Sequence, residues 1–217
     1  MQYRSIMSVK AQANSSILKT DQIMSQLNDE MDKSAMLSNE IENLDKKKED
    51  LINRYLLTDE SSQQLRDMRQ QAMLLAGLTD VKGPGITITL NDAKVTWFDS
   101  SRHIIHDRDI QFIINDLKSA GAQAISINDE RICAMSEQVC AGPTILINQN
   151  RYTVPFVIKA IGDPDELYNF MINTDYLNAM LQDSIQISVE KSSEILIKKY
   201  AGNLDINDTT SKLEVVQ

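Results

Sequence analysis

From Asp21 to Leu57 the chain contains neither Gly nor Pro, and charged or amide residues separate its apolar ones, a pattern that predicts one long helix. With Ile23 at heptad position d, the d series runs Ile23, Glu30, Leu37, Leu44, Leu51, and the a series runs Leu27, Ser34, Ile41, Lys48, Tyr55. Seven of these ten positions are apolar, over more heptads than the three to four that support a coiled-coil reading. Ser34 and Lys48 weaken that seam and are suited to fixing its register. A parallel homodimer buries Ile23, Leu27, Leu37, Ile41, Leu44 and Leu51. The rival reading is one amphipathic helix folded back on a domain, because Met24 and Met31 widen the stripe. Thr58, Asp59, Glu60 and Ser61 carry N-cap and first-turn signals. Leu65, Met68, Ala72 and Leu75 then recur at helical spacing, so a second helix is expected up to Gly77.

Beyond Gly77 the period changes. Gly83-Pro84-Gly85 punctuates the chain before Ile86, Ile88 and Leu90, which alternate with Thr87 and Thr89 as in a half-buried strand. Asn91 to Arg102 is irregular and carries the single Trp. Asp107 to Ala120 is a helix with Ile110, Ile113, Ile114 and Leu117 on one face and Gly121 after its end. Strands are expected over Ala122 to Ile127, Thr144 to Ile147 and Tyr152 to Ile158, the last two joined by a hairpin at Asn148-Gln149-Asn150. Pro155 assigns that last strand to an edge or a bulge. Asp163 caps a helix that opens at Pro164 and carries Leu167, Phe170, Met171, Leu177, Met180 and Leu181. Ile185, Ile187 and Val189 form a further strand, with Ile195 and Ile197 as a final pair. The order is that of an α+β, ferredoxin-like split βαβ domain with an inserted hairpin. The chain therefore divides into a helical stalk over 1–77, a domain over 78–200 and a polar tail over 201–217.

Composition narrows the function classes. The 217 residues are 42% hydrophobic, enough for one core with an appendage. Acidic residues outnumber basic ones 31 to 22, a net charge of −9 that opposes a phosphate backbone, so nucleic acid is excluded as the expected partner. The Lys46-Lys47-Lys48 run reads as a solvated helix face. No hydrolase, kinase or protease motif is present, and no cofactor is expected. Apolar runs fall short of the roughly 20 residues that span a bilayer.

Candidate chemistry is sparse. His103, His106, Asp107 and Asp109 gather imidazoles and carboxylates within one short stretch, and His103, His106 and Asp107 are the candidate metal ligands. Capping of the helix that starts there is the favoured alternative. Asn128 and Arg131 follow a strand and Asp163 opens a helix, so these three are candidate ligand-binding residues, against the simpler reading of a solvated turn and a cap. Cys133 and Cys140 can form a disulfide if their Cα atoms approach within about 7 Å. Separate free thiols are favoured.

Several stretches carry a family resemblance: Val81-Lys82-Gly83-Pro84-Gly85-Ile86, His106-Asp107-Arg108-Asp109-Ile110, the run from Asn115 through Asn128, Cys140-Ala141-Gly142-Pro143, and Ala160-Ile161-Gly162-Asp163-Pro164. In this order they resemble the bacterial YlxW-like family, the domain of unknown function 881. That resemblance implies a single-pass membrane protein with a coiled-coil stalk and an extracytoplasmic α/β domain, often encoded near cell-division and sporulation genes. Met1 to Ser5 look like the stretch that directly follows the membrane helix, which places that helix outside this chain. The resemblance brings no activity to carry onto residues. The expectation is a non-enzymatic envelope scaffold that pairs with itself and engages envelope or division proteins. The alternatives are a small-molecule sensor and, more weakly, a metal-dependent hydrolase.

Overall fold

A computed structural model describes residues 2–55, 60–94, 102–202 and 212. The restart signals at Thr58 and Asp59, the Trp of the irregular segment and nearly all of the polar tail lie outside the described residues. The chain divides into two compact units, Met1–Asp67 and Met68–Gln217, so the second unit begins inside a helix rather than at Gly77.

In the first unit α1 spans Gln2–Tyr55, longer than the expected Asp21 start, because the preceding residues also lack Gly and Pro. Lys33–Glu30, Lys46–Glu42 and Lys48–Asp45 ion pairs line its exposed surface. Each contributes about 0.2–0.5 kcal/mol, which supports the helix without burying anything. The seam residues are open: Ile23 is 63%, Leu37 59% and Ile41 60% exposed. A second helix, α2, spans Glu60–Leu75 and ends at Gly77, whose φ of +75° supplies the left-handed residue that stops it.

The second unit is a mixed α/β domain. Its main sheet has five strands, β1 (Val81–Asn91), β2 (Ala124–Ile127), β3 (Glu130–Ile132), β7 (Phe156–Ile161) and β8 (Gln186–Ile197), in the order β3-β2-β7-β1-β8, every pair antiparallel. A smaller antiparallel sheet joins β4 (Gln138–Ala141), β5 (Thr144–Ile147) and β6 (Asn150–Tyr152). Among the described residues three helices lie wholly within the unit, α3 (Asp107–Ser119), α4 (Pro164–Ile172) and α5 (Asp175–Gln182), beside the end of α2. Alternation along the strands sends Ile86, Ile88, Leu90, Ile125, Ile127 and Ile158 into one core. Ile110, Ile113, Ile114 and Leu117 of α3, Leu167 and Met171 of α4, and Leu177 and Met180 of α5 close it. Ile145 and Ile147 of the small sheet join the same core.

Four details depart from the sequence expectation. Tyr152 to Ile158 is two strands, β6 and β7, which belong to different sheets and are separated by Thr153, Val154 and Pro155. Pro155 carries no amide hydrogen to contribute to either ladder. The short strands β3 and β4 are additions, β3 pairing back on β2 through a turn in which Asn128 and Asp129 both have positive φ. The helix after Pro164 is two helices, because the Thr174 hydroxyl accepts from the Leu177 amide and starts α5 afresh. Finally, the strand after Ser184 and the Ile195/Ile197 pair are one strand. Between Gly83 and Gly85 of β1 the register shifts by one residue, with Gly83 opposite Ile195 and Gly85 opposite Ser192. The extra residue in β8 turns Ile195 and Ile197 to the outer face, where they form a second small cluster with Val81, Ala124 and Ile161.

Candidate functional site

The acid and imidazole cluster sits at the start of α3, where both of its carboxylates accept hydrogen bonds from neighbouring groups. The Asp109 carboxylate accepts from the His106 amide at 2.7 Å and from the Tyr176 hydroxyl at 2.6 Å, tying the first turn of α3 to α5. Tyr176 also stacks on Phe112 with ring centroids 4.3 Å apart. Burial, together with the Asp109 hydrogen bond, pushes the Tyr176 hydroxyl well above its ordinary pKa, so it stays a donor. Asp107 accepts from the Cys140 amide at 2.7 Å and the Arg108 amide at 2.7 Å, while its own amide donates to the Cys140 sulfur. The Cys140 hydrogen bond holds the Asp107 carboxyl below its ordinary value of 3.8, partly opposed by burial. His103 points elsewhere: its Nδ1–H donates to the Asp183 carbonyl at 2.8 Å.

The structure thus does not converge His103, His106 and Asp107 on a common point. Among the described residues no group of three His, Cys, Asp or Glu side chains is arranged to hold a metal ion. The physical reason is the terminus of α3, whose unpaired amides and positive dipole end draw carboxylates inward as fasteners. Cys133 and Cys140 are both free thiols, not a disulfide. Cys140 faces Asp107, whereas Cys133 lies under Gly77, whose missing side chain leaves room for its sulfur.

Asn128, Arg131 and Asp163 are likewise not brought together. Asn128 caps one end of β7, its side-chain oxygen accepting from the Val157 amide at 2.7 Å. Asp163 lies beyond the other end of β7 and accepts from the Asp165 and Glu166 amides as the N-cap of α4. Of the three, Arg131 borders a cleft. That cleft, about 500 Å³, lies between the last turn of α2 and the outer face of the main sheet, with Leu74, Val81, Ala124, Ile132 and Ile161 among its walls. A second cleft of about 350 Å³ opens beside Arg102, Arg108, Phe112 and Tyr176.

Glu130, next to Arg131 in the stretch that the sequence assigns to a solvated turn, is instead a structural hub. It accepts from Asn150 at 2.7 Å and from the Tyr152 hydroxyl at 2.8 Å, fixing the small sheet to β3. Burial, aided by Glu130, pushes the Tyr152 hydroxyl up to about 12. The available signal was a charged residue directly after a two-residue turn, in register for a third strand.

Residues 68–209 match the family described as bacterial proteins of unknown function, DUF881. The chain belongs to that family. The match starts at the first residue of the second compact unit and so covers the α/β domain. The chain is also similar to the UPF0749 protein YlxW of Bacillus subtilis, 30% identical over 137 residues, which cover 62% of this chain and 59% of YlxW. The UPF0749 protein Rv1823 of Mycobacterium tuberculosis is 35% identical over 127 residues, 54% of this chain and 41% of Rv1823. This DUF881 chain therefore spans less than two thirds of the length of either relative. A solved structure of an uncharacterized conserved protein from Mycobacterium tuberculosis superposes with a TM-score of 0.53 at 21% identity, over 67% of this chain and 96% of that one, and shares the fold.

Proposed function

We propose that this DUF881 protein is a non-catalytic, membrane-tethered scaffold of the cell envelope, in which α1 pairs with a second copy as a parallel coiled coil. The observation that carries the reading is the open seam of α1. Leu27, Leu44 and Leu51, at 53%, 56% and 56% exposure, continue the stripe of Ile23, Leu37 and Ile41 with no partner of their own unit covering them. Such a stripe is stable in water only when another surface buries it. The α/β unit is read here as a ferredoxin-like split βαβ domain. The order β2-β7-β1-β8, with β1 and β7 central and antiparallel, supports this, and the small sheet occupies the place of the inserted hairpin. Membrane attachment and a link to cell division or sporulation rest on the family plan. No helix among the described residues is long and apolar enough to cross a membrane.

The test is sedimentation equilibrium of the chain beside a variant carrying Leu37→Glu, Ile41→Glu and Leu44→Glu. Concentration-dependent dimers that the triple variant abolishes support the scaffold. A parent that stays monomeric at about 1 mM, a concentration at which even weak association registers, overturns the stalk pairing.

A second reading, a small-molecule binding module, is favoured by the cleft beneath α2. It does not depend on pairing of the stalk.

A further inference from the structure

The outer face of the main sheet changes character along its strands. Across its middle, Thr87, Lys159, Ser126 and Arg131 stand opposite one another on β1, β7, β2 and β3. Two residues further along, Ala124 and Ile161 stand level with Gly85, and with Val81 beyond them on β1 they make an apolar floor, with the cleft of about 500 Å³ over it. The charges around this cleft run against the rest of the chain. With 31 acidic and 22 basic residues overall, an unselected surface holds more acids than bases. The cleft is bordered by Lys82, Lys118 and Arg131 and by no Asp or Glu.

Arg131 is the centre of that imbalance. It is only 5% exposed, and among the described residues it makes no ion pair. Among the described residues its guanidinium makes one hydrogen bond, from Nη1 to the Thr79 carbonyl, and it is long at 3.4 Å. A guanidinium offers five donors in a rigid fork, and burying it without a carboxylate is costly. Ser126, its cross-strand neighbour, is 1% exposed and its hydroxyl also has no partner. Lys82 shares Glu194 across 3.3 Å, with both side chains 69% exposed, and so remains available at the rim.

We propose that this cleft binds a small amphipathic anion, a monocarboxylate with an aliphatic body. The carboxylate docks on the Arg131 fork, Lys118 and Lys82 attract it from the rim, and the aliphatic body lies on Val81, Ala124 and Ile161. The volume falls within the roughly 300–1,000 Å³ of small-molecule sites. One buried fork matches one planar carboxylate in a bidentate pair. A dianionic phosphate would bring more oxygens than these apolar walls have donors to satisfy.

The two cysteines give a local readout. Cys133 borders the cleft and is half-buried, whereas Cys140 is exposed outside it. The full chain is alkylated with and without sodium dodecanoate, kept below its micelle-forming concentration, and each thiol is followed by mass spectrometry. Dodecanoate is expected to slow Cys133 about fivefold or more, saturating at one molecule per chain, and to leave Cys140 unchanged. Lys118→Glu should raise the half-protecting concentration about fivefold, and Arg131→Met about tenfold. Ala134→Trp, at an exposed position on the wall, should abolish protection while leaving the melting temperature unchanged. Because Arg131 is buried, Lys118→Glu and Ala134→Trp carry the test if Arg131→Met fails to fold. Absence of protection, equal slowing of both thiols, or protection indifferent to Lys118→Glu and Ala134→Trp overturns the site. Equal protection by neutral dodecanol overturns the carboxylate.

Discussion

Tyr176→Phe tests whether the His106-Asp107-Arg108-Asp109 stretch fastens the fold. The substitution removes one hydroxyl and keeps the ring that stacks on Phe112, so it opens no cavity. What is lost is a 2.6 Å hydrogen bond to the Asp109 carboxylate, which also holds the His106 amide at the start of α3. A hydrogen bond to a charged group contributes about 1.5–3 kcal/mol. Tyr176 is only half-buried, and solvent screening reduces that to about 1–2 kcal/mol. For an α/β unit of this size the melting midpoint should fall by about 3–6 °C. The assay is urea denaturation followed by near-ultraviolet circular dichroism on four proteins: parent, Tyr176→Phe, Asp109→Ala and the double variant. The two single losses should exceed the double loss, with a coupling energy of about 1 kcal/mol. Additive losses, or a Tyr176→Phe effect under about 0.3 kcal/mol, would show that the contact is incidental and would reopen the cluster as a site kept for chemistry.

Other outcomes follow from the same geometry. The Asp107 carboxyl is held below its ordinary 3.8, so it stabilises the fold above that value and the contribution fades as pH falls through its folded-state pKa. The melting-point difference between parent and Asp107→Asn should therefore be larger at pH 7 than at pH 3; an equal gap at both sinks the assignment. Gly85→Ala would drive a methyl into the Ala160 carbonyl on β7, a backbone group that cannot step aside, and should cost about 3 kcal/mol or more. A soluble variant melting within about 2 °C of the parent contradicts that register. Ser34→Ile with Lys48→Ile repairs both weak a positions of the seam and should tighten self-association at least about tenfold by sedimentation; unchanged association argues that α1 does not pair through this stripe.

The core helices and the central strands were legible because their apolar periods are unbroken. Ile110, Ile113, Ile114 and Leu117 define α3, and Ile86, Ile88 and Leu90 define β1. Errors fell where one local feature outweighed the period. The apolar stretch around Pro155 reads as one strand, yet Tyr152 and Phe156 belong to different sheets. Thr174 restarts a helix whose apolar spacing runs on without interruption. The bulge opposite Gly83 and Gly85 was invisible for a different reason. Ile187, Val189, Ile195 and Ile197 have matching parity in the sequence, and only the pairing with β1 shows that the last two face the other way.

Three of the candidate residues share one local duty, while another, Arg131, does not, and that contrast says where to look in such a fold. Asp107, Asn128 and Asp163 all stand at the ends of elements, where unpaired backbone amides consume a carboxylate or amide side chain. Their polarity is accounted for by these backbone bonds. Polar residues in the middle of a strand have no such duty, because ladder bonds already satisfy the main chain around them. Ser126, Lys159 and Arg131 are of that kind, in register on three neighbouring strands. Lys159 reaches out to Asp129 at 2.6 Å, and its charge is matched. Arg131, with one long hydrogen bond, and Ser126, whose hydroxyl has no partner, are the pair left beside an apolar floor, and they are where the proposed carboxylate would dock.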